Sequence, residues 1–240
     1  MSHIESGAAT HVGRRTNNED SHRVEPALGF YAVADGLGGH EGGEVASKLA
    51  LEAMVAFLSS PAEEREGEAV RNPLLASVGH AHAMVRSQQQ GKLFQMATTV
   101  AAIQLQGLVA EVCNLGDSRI YLLRGGELKP LTQDHTVLAE MIATGMDVSS
   151  PFCAIHRHSL TGAVGMEATV EPHCNRVLLQ PGDSLLLCSD GLYEPVKPER
   201  AVELLQGEGP AQALAERLVE EAYARGGTDN ITAVVVRVLP

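Results

Sequence analysis

Tryptophan is absent from this 240-residue chain and aromatic residues make up only 3%, so the core must be built from the Leu, Val, Ile and Ala that dominate its 44% of hydrophobic residues. No uncharged apolar run reaches the roughly 18 residues that would suggest a membrane span. Met1–Thr10 also lacks a basic start followed by an apolar stretch, so a cytoplasmic chain without a membrane span is expected. No C-x-x-C pair occurs among Cys113, Cys153, Cys174 and Cys188, which argues against a zinc site or a redox motif and predicts reduced, mostly buried thiols. Basic residues are scarce, 18 against 30 acidic ones, and the formal charge of -12 without a local basic patch excludes nucleic acid as a partner. Any phosphate group would meet the same repulsion, so a site for one needs clustered Arg and Lys or bound cations. No shift in composition divides the chain, and residues 1–240 are expected to form one domain.

The patterning that is present mixes two periods. Phe30–Ala34 is an apolar run stopped by Asp35-Gly36, the signature of a buried strand. From Glu44 the pairs Val45/Ala46, Leu49/Ala50, Ala53/Met54 and Phe57/Leu58 recur every four residues and predict a helix; a second is predicted over Leu74–Gln88, after the charged link Glu63–Glu68. Ala97–Leu105, Leu108–Cys113 and Arg119–Leu123 favour strands, and their short links, with Gly125-Gly126 beyond, predict antiparallel neighbours. Asp134–Thr144 has a helical pattern, with Asp134 as its N-cap and Val137, Leu138, Met141 and Ile142 on one face. Strands return at Arg176–Leu179 and Ser184–Cys188, a helix is predicted over Ala211–Ala224, and Ile231–Val238 reads as a final strand. Antiparallel strands bracketed by helices predict a layered α+β fold.

Acidic residues recur at the ends of these strands: Glu19-Asp20 before Ser21–Val24, then Asp35, Asp117, Asp190, and Asp229 before Ile231. Singly, each suits a turn. If the layers bring the strand ends to one edge, the carboxylates repel one another, and a divalent cation removes the conflict. Oxygen ligands without His or Cys favour Mg²⁺ or Mn²⁺ over zinc, and Gly36 leaves its carbonyl open to close approach.

The segments Arg15–Asp20, Asp35–Gly39, Gly116–Arg119, Ser189–Gly191 and Asp229–Thr232 resemble, in order, the motifs of metal-dependent type 2C protein serine/threonine phosphatases, bacterial single-domain type. That resemblance implies two central antiparallel β-sheets flanked by helix pairs, a four-layer αββα sandwich. It implies hydrolysis of phosphoserine and phosphothreonine monoesters, with Arg15 and Asp35 as catalytic residues. Asp35 bridges two Mn²⁺ or Mg²⁺ ions, with Glu19 and the Gly36 carbonyl on one and Asp190 and Asp229 on the other. Asp20 and Asn230 stand behind these ligands, Arg15 binds phosphate, and Asp117 helps to hold a third, weaker ion. The two ions would supply a water acidic enough to attack phosphorus. The implied partners are phosphorylated Ser/Thr proteins and a cognate bacterial Ser/Thr kinase, for a chain that is monomeric. Some members place a His directly after the Asp-Gly pair; Leu37 stands there in this chain, leaving the general acid unassigned, and His40 is not expected to replace it.

Two other functions fit parts of the chain. Cys113–Arg119 has the C-x-x-G-x-x-R spacing of cysteine-dependent tyrosine phosphatases, but Ile120–Leu123 continues as a strand where that chemistry needs a helix N-terminus, and Asp117 would face the phosphate. A catalytically inactive phosphoprotein-binding module would have no need of Glu19, Asp35, Asp190 and Asp229. Asp35–Gly42 fails the dinucleotide pattern at Glu41, and no G-x-S-x-G elbow is present. His80-x-His82 and His156-x-His158 are not expected to bind metal, and substrate selectivity is expected in Met146–Ser159.

Overall fold

The structure, a computed structural model, describes residues 4–37, 42–61, 72–146, 148, 153, 156, 158–166 and 171–239. Gly38, Gly39, His40, Glu41, the link 63–68 and part of 146–159 therefore lie outside the described residues. In chain order the strands are β1 (Ile4–His11), β2 (Asp20–Glu25), β3 (Phe30–Leu37), β4 (Ala97–Thr98), β5 (Val100–Gln106), β6 (Val109–Leu115), β7 (Arg119–Arg124), β8 (Glu127–Pro130), β9 (His173–Leu178), β10 (Ser184–Cys188) and β11 (Ile231–Val238). The helices are α1 (Gly42–Ser59), α2 (Pro73–Ser87), α3 (Val137–Ala143), α4 (Asp190–Tyr193), α5 (Pro198–Leu205) and α6 (Ala211–Ala224).

One sheet has the order β1-β11-β10-β7-β8; the other has β2-β3-β5-β6-β9, with β4 added to β3. All of these pairings are antiparallel. Central strands read as unbroken apolar runs because both of their faces are covered. On β3, Phe30, Ala32 and Ala34 pack under α1 and α2, while Tyr31 and Val33 enter the layer between the sheets. On β11, Ile231, Ala233 and Val235 pack under α5 and α6, and Val234, Val236 and Val238 face the other sheet. Three apolar layers between four layers of secondary structure give the αββα sandwich.

Four local expectations are corrected. The strands β6 and β7 do not pair, despite the short link; Gly116–Ser118 carries the chain from one sheet to the other. Thr136, not Asp134, caps α3 by accepting from the Ala139 amide at 3.1 Å, while both carboxylate oxygens of Asp134 accept from Arg119. That helix is also shorter than the expected Asp134–Thr144, running Val137–Ala143, and none of its residues is fully buried. Finally, Cys113 and Cys174 are directly opposed on β6 and β9, with Cα atoms 4.2 Å apart, and form a disulfide, which leaves Cys153 and Cys188 as the cysteines outside a disulfide.

Candidate metal centre

Strand ends gather the acidic motifs at one end of the sandwich. Asp35 lies near the end of β3, Asp190 follows β10, Asp229 precedes β11, Glu19 precedes β2, and Asp117 sits in the crossing between sheets. Together with Arg15, Gly36 and Asn230 they line one cleft of about 520 Å³, and Asp20 lies beside Asp35 in the β2–β3 register.

Short polar bonds fix these positions. Thr99 Oγ1 accepts from the Asp35 amide at 2.9 Å and shares a 2.6 Å bond with Ser118 beside Asp117. Ser47 Oγ donates to the Glu19 carbonyl at 2.6 Å, and Asn17 Nδ2 donates to Glu19 Oε1 at 3.2 Å. Asn230 ties its own loop to the one between β1 and β2: its Oδ1 accepts from the Glu19 amide at 2.8 Å, while Nδ2 donates to the carbonyls of Val12 and Asn17. Asp20 Oδ2 accepts from Ser189 and Thr232, tying β2 to β10 and β11. Close backbone approach sets the glycines: a Cβ on Gly43 would stand 2.0 Å from Glu19 Oε2, and one on Gly36 would stand 2.2 Å from the Gly43 carbonyl oxygen.

The electrostatics of the cluster are unfavourable without cations. Burial, then repulsion from Asp20, Asp190, Asp117 and Asp229, pushes the Asp35 carboxyl well above the usual carboxylate range. Burial and the charge of Asp190 push Asp117 up to about 7; burial and Asp229 raise Asp190. The buried Oδ1 atoms of Asp20 and Asp190 find no hydrogen-bond partner among the described residues. Orphaned, mutually repelling carboxylate oxygens are the donor set that a hard divalent cation satisfies, so the residues fit Mg²⁺ or Mn²⁺.

Arg15 stands at the mouth with 59% of its side chain exposed and donates to Asp229 at 2.7 Å. Leu37 also lines the cleft and carries no proton to give. His158, expected to play no part, reaches the same space: one ring nitrogen and single carboxylate oxygens of Asp117 and Asp190 lie within 4.8 Å of one another, and Nε2 is 3.3 Å from Glu194. Its segment has no period, so only folding reveals the proximity. The hydroxyls of Ser47 and Thr99 carry no signal in the sequence, and Ser189 and Thr232, though inside the motifs, carry none of their role toward Asp20, since each acts on a residue distant in sequence. The cysteine-dependent route closes here, because Cys113 is fully buried on β6 and the chain after it crosses sheets instead of entering a helix.

Residues 8–223 match the protein phosphatase 2C family. The chain belongs to this family, and its two antiparallel sheets, with six α-helices among the described residues, share the fold of the family's solved structures. It is 37% identical over 232 residues to the serine/threonine protein phosphatase PstP of Mycobacterium tuberculosis, covering 94% of this chain and 43% of that protein's length. The serine/threonine phosphatase stp of Listeria monocytogenes is 34% identical over 230 residues, covering 92% of this chain and 90% of the relative. Among solved structures, the PstP catalytic domain in complex with two manganese ions superposes with a TM-score of 0.83 at 35% identity, covering 99% of each chain.

Proposed function

We propose that this chain is a metal-dependent protein serine/threonine phosphatase that hydrolyses phosphoserine and phosphothreonine monoesters and opposes a bacterial Ser/Thr kinase. The observation that carries this function is the convergence of Glu19, Asp35, Asp117, Asp190 and Asp229 on one cleft, with buried oxygens left unpartnered. Asp35 would bridge two Mn²⁺ or Mg²⁺ ions, Glu19 and the Gly36 carbonyl would complete one, and Asp190 and Asp229 the other. When bound, the ions supply an activated water and neutralise phosphate charge. Asp20 and Asn230 hold the ligand loops, and the planar fork of Arg15 donates to the phosphate oxygens and offsets their charge through bond cleavage. Leu37 cannot protonate the leaving alkoxide, which must take its proton from water in the cleft.

Asp117 would help to hold a third ion, supported by its burial and its approach to Asp190. We also propose that residues 1–240 act as one monomeric catalytic domain, consistent with the apolar layer shared by both sheets. No described helix is long and apolar enough to cross a membrane. A cytoplasmic location would leave Cys113 and Cys174 reduced in the cell and cross-linked after oxidation, which thiol counting with and without reductant would read.

Asp190→Asn and Asp229→Asn should largely abolish Mn²⁺-dependent release of phosphate from a phosphothreonine peptide. Asp117→Ala should keep the two tighter ions by calorimetry and lose the third along with turnover. Wild-type rates in all three variants would overturn this function, and an unchanged ion count in Asp117→Ala would reduce that residue to its place in the sheet crossing.

A further inference from the structure

Beside the carboxylate cleft, and sharing Asp117 and His158 with it, lies a second groove of about 320 Å³. One wall is α3, through Leu138, Ala139 and Ile142; the other carries Arg119, Tyr193 and Glu194. The sequence of α3, VLAEMIA, has one charged residue, yet the helix buries no side chain fully. Ile142 is 58% exposed and lines the groove beside the half-buried Leu138 and Ala139, so the α3 wall presents apolar surface to it. A soluble domain rarely leaves such a patch uncovered unless something binds there.

The one arginine on the polar wall already has its partners. Arg119 holds Asp134 at 2.6 Å and lies 3.8 Å over the Tyr193 ring, whose hydroxyl donates to the Asp117 carbonyl at 3.1 Å. Glu194 faces His158 at 3.3 Å. With these charges already facing partners, the groove offers an apolar side chain a place to bury and offers a charged one little.

Resting on the phosphatase function proposed above, we infer that this groove is the docking site for the substrate chain flanking the phosphorylated residue, and that it selects a branched or thioether apolar side chain there. Continuity supplies the occupant: a phosphoresidue seated among the carboxylates must send its chain out of the cleft, and the groove opens directly from it. An extended chain advances about 3.3 Å per residue, so the selected side chain lies within a few positions of the phosphate.

The test compares Mn²⁺-dependent hydrolysis of phosphothreonine peptides flanked only by Ala with peptides carrying one Leu at each neighbouring position in turn, using p-nitrophenyl phosphate as a probe too small to fill the groove. At one or more positions Leu should raise kcat/KM about fivefold or more. Ile142→Asp should remove that gain, Ile142→Ala should reduce it, and both should hydrolyse p-nitrophenyl phosphate at the wild-type rate. Indifference to Leu at every position, or a gain that survives Ile142→Asp, would overturn the inference while leaving the phosphatase function standing. Failure of wild type to hydrolyse any of these phosphates would overturn both. A wild-type dimer that Ile142→Asp converts to monomer would assign the patch to a second copy of the chain and overturn the inference.

Discussion

Arg15 donates to Asp229 at 2.7 Å while most of its side chain stays in water, so it can turn its fork onto a phosphate with little desolvation. Arg15→Ala should lower kcat/KM by about tenfold or more, equivalent to about 1.4 kcal/mol, and Arg15→Lys should recover only part of it. Unchanged kinetics in Arg15→Ala would leave the residue as a surface ion pair. Gly43 makes a sharper test of the packing: the methyl of Gly43→Ala would occupy the place of Glu19 Oε2, so Mn²⁺ affinity should weaken about tenfold or more while the fold persists. Calorimetric titration of Mn²⁺ reads this, and equal affinity would contradict the geometry. The acidic residues were legible in the sequence because each sits in a short motif at a strand end. Ser47 and Thr99 were not, nor was the role of Ser189 and Thr232 toward Asp20, because each serves a residue supplied by another part of the chain.

Legibility at the level of elements followed burial. β11 and α6 were read to their ends, since a doubly covered strand and an amphipathic helix carry strong periods. β1 was missed as a strand: its IESGAATH has weak β-propensity and is held by β11 and by Gln212, which exchanges hydrogen bonds with the Ala8 backbone at 2.8 and 3.0 Å. The β6–β7 link looked like a hairpin because turn length cannot reveal that a chain leaves its sheet. The cysteine pair was hidden for a similar reason, 61 residues apart in sequence and opposed only by strand register. Cys113→Ser should remain active. In the oxidised protein it should lose up to about 4 kcal/mol of stability from the opened loop, visible as a lower Tm without reductant. Loss of turnover in a folded Cys113→Ser protein would contradict the metal route.

For the whole molecule, raised carboxyl pKa values become a pH dependence of stability. Asp117, at about 7 when folded against 3.8 ordinarily, favours the folded state while protonated; this contribution is full below about pH 4 and is lost as pH rises through about 7. Asp20, Asp35 and Asp190 are shifted in the same direction. Cations bind the deprotonated oxygens, so the Tm increase from Mn²⁺ should be larger at about pH 7.5 than at about pH 5.5. Equal increases would mean that the buried carboxylates do not bind the metal. The central claim, that these carboxylates act through divalent cations, is tested most directly by phosphate release from a phosphothreonine peptide after EDTA treatment and Mn²⁺ addition. Turnover should vanish with EDTA and return as Mn²⁺ is added back; hydrolysis that continues undiminished in EDTA would contradict the account.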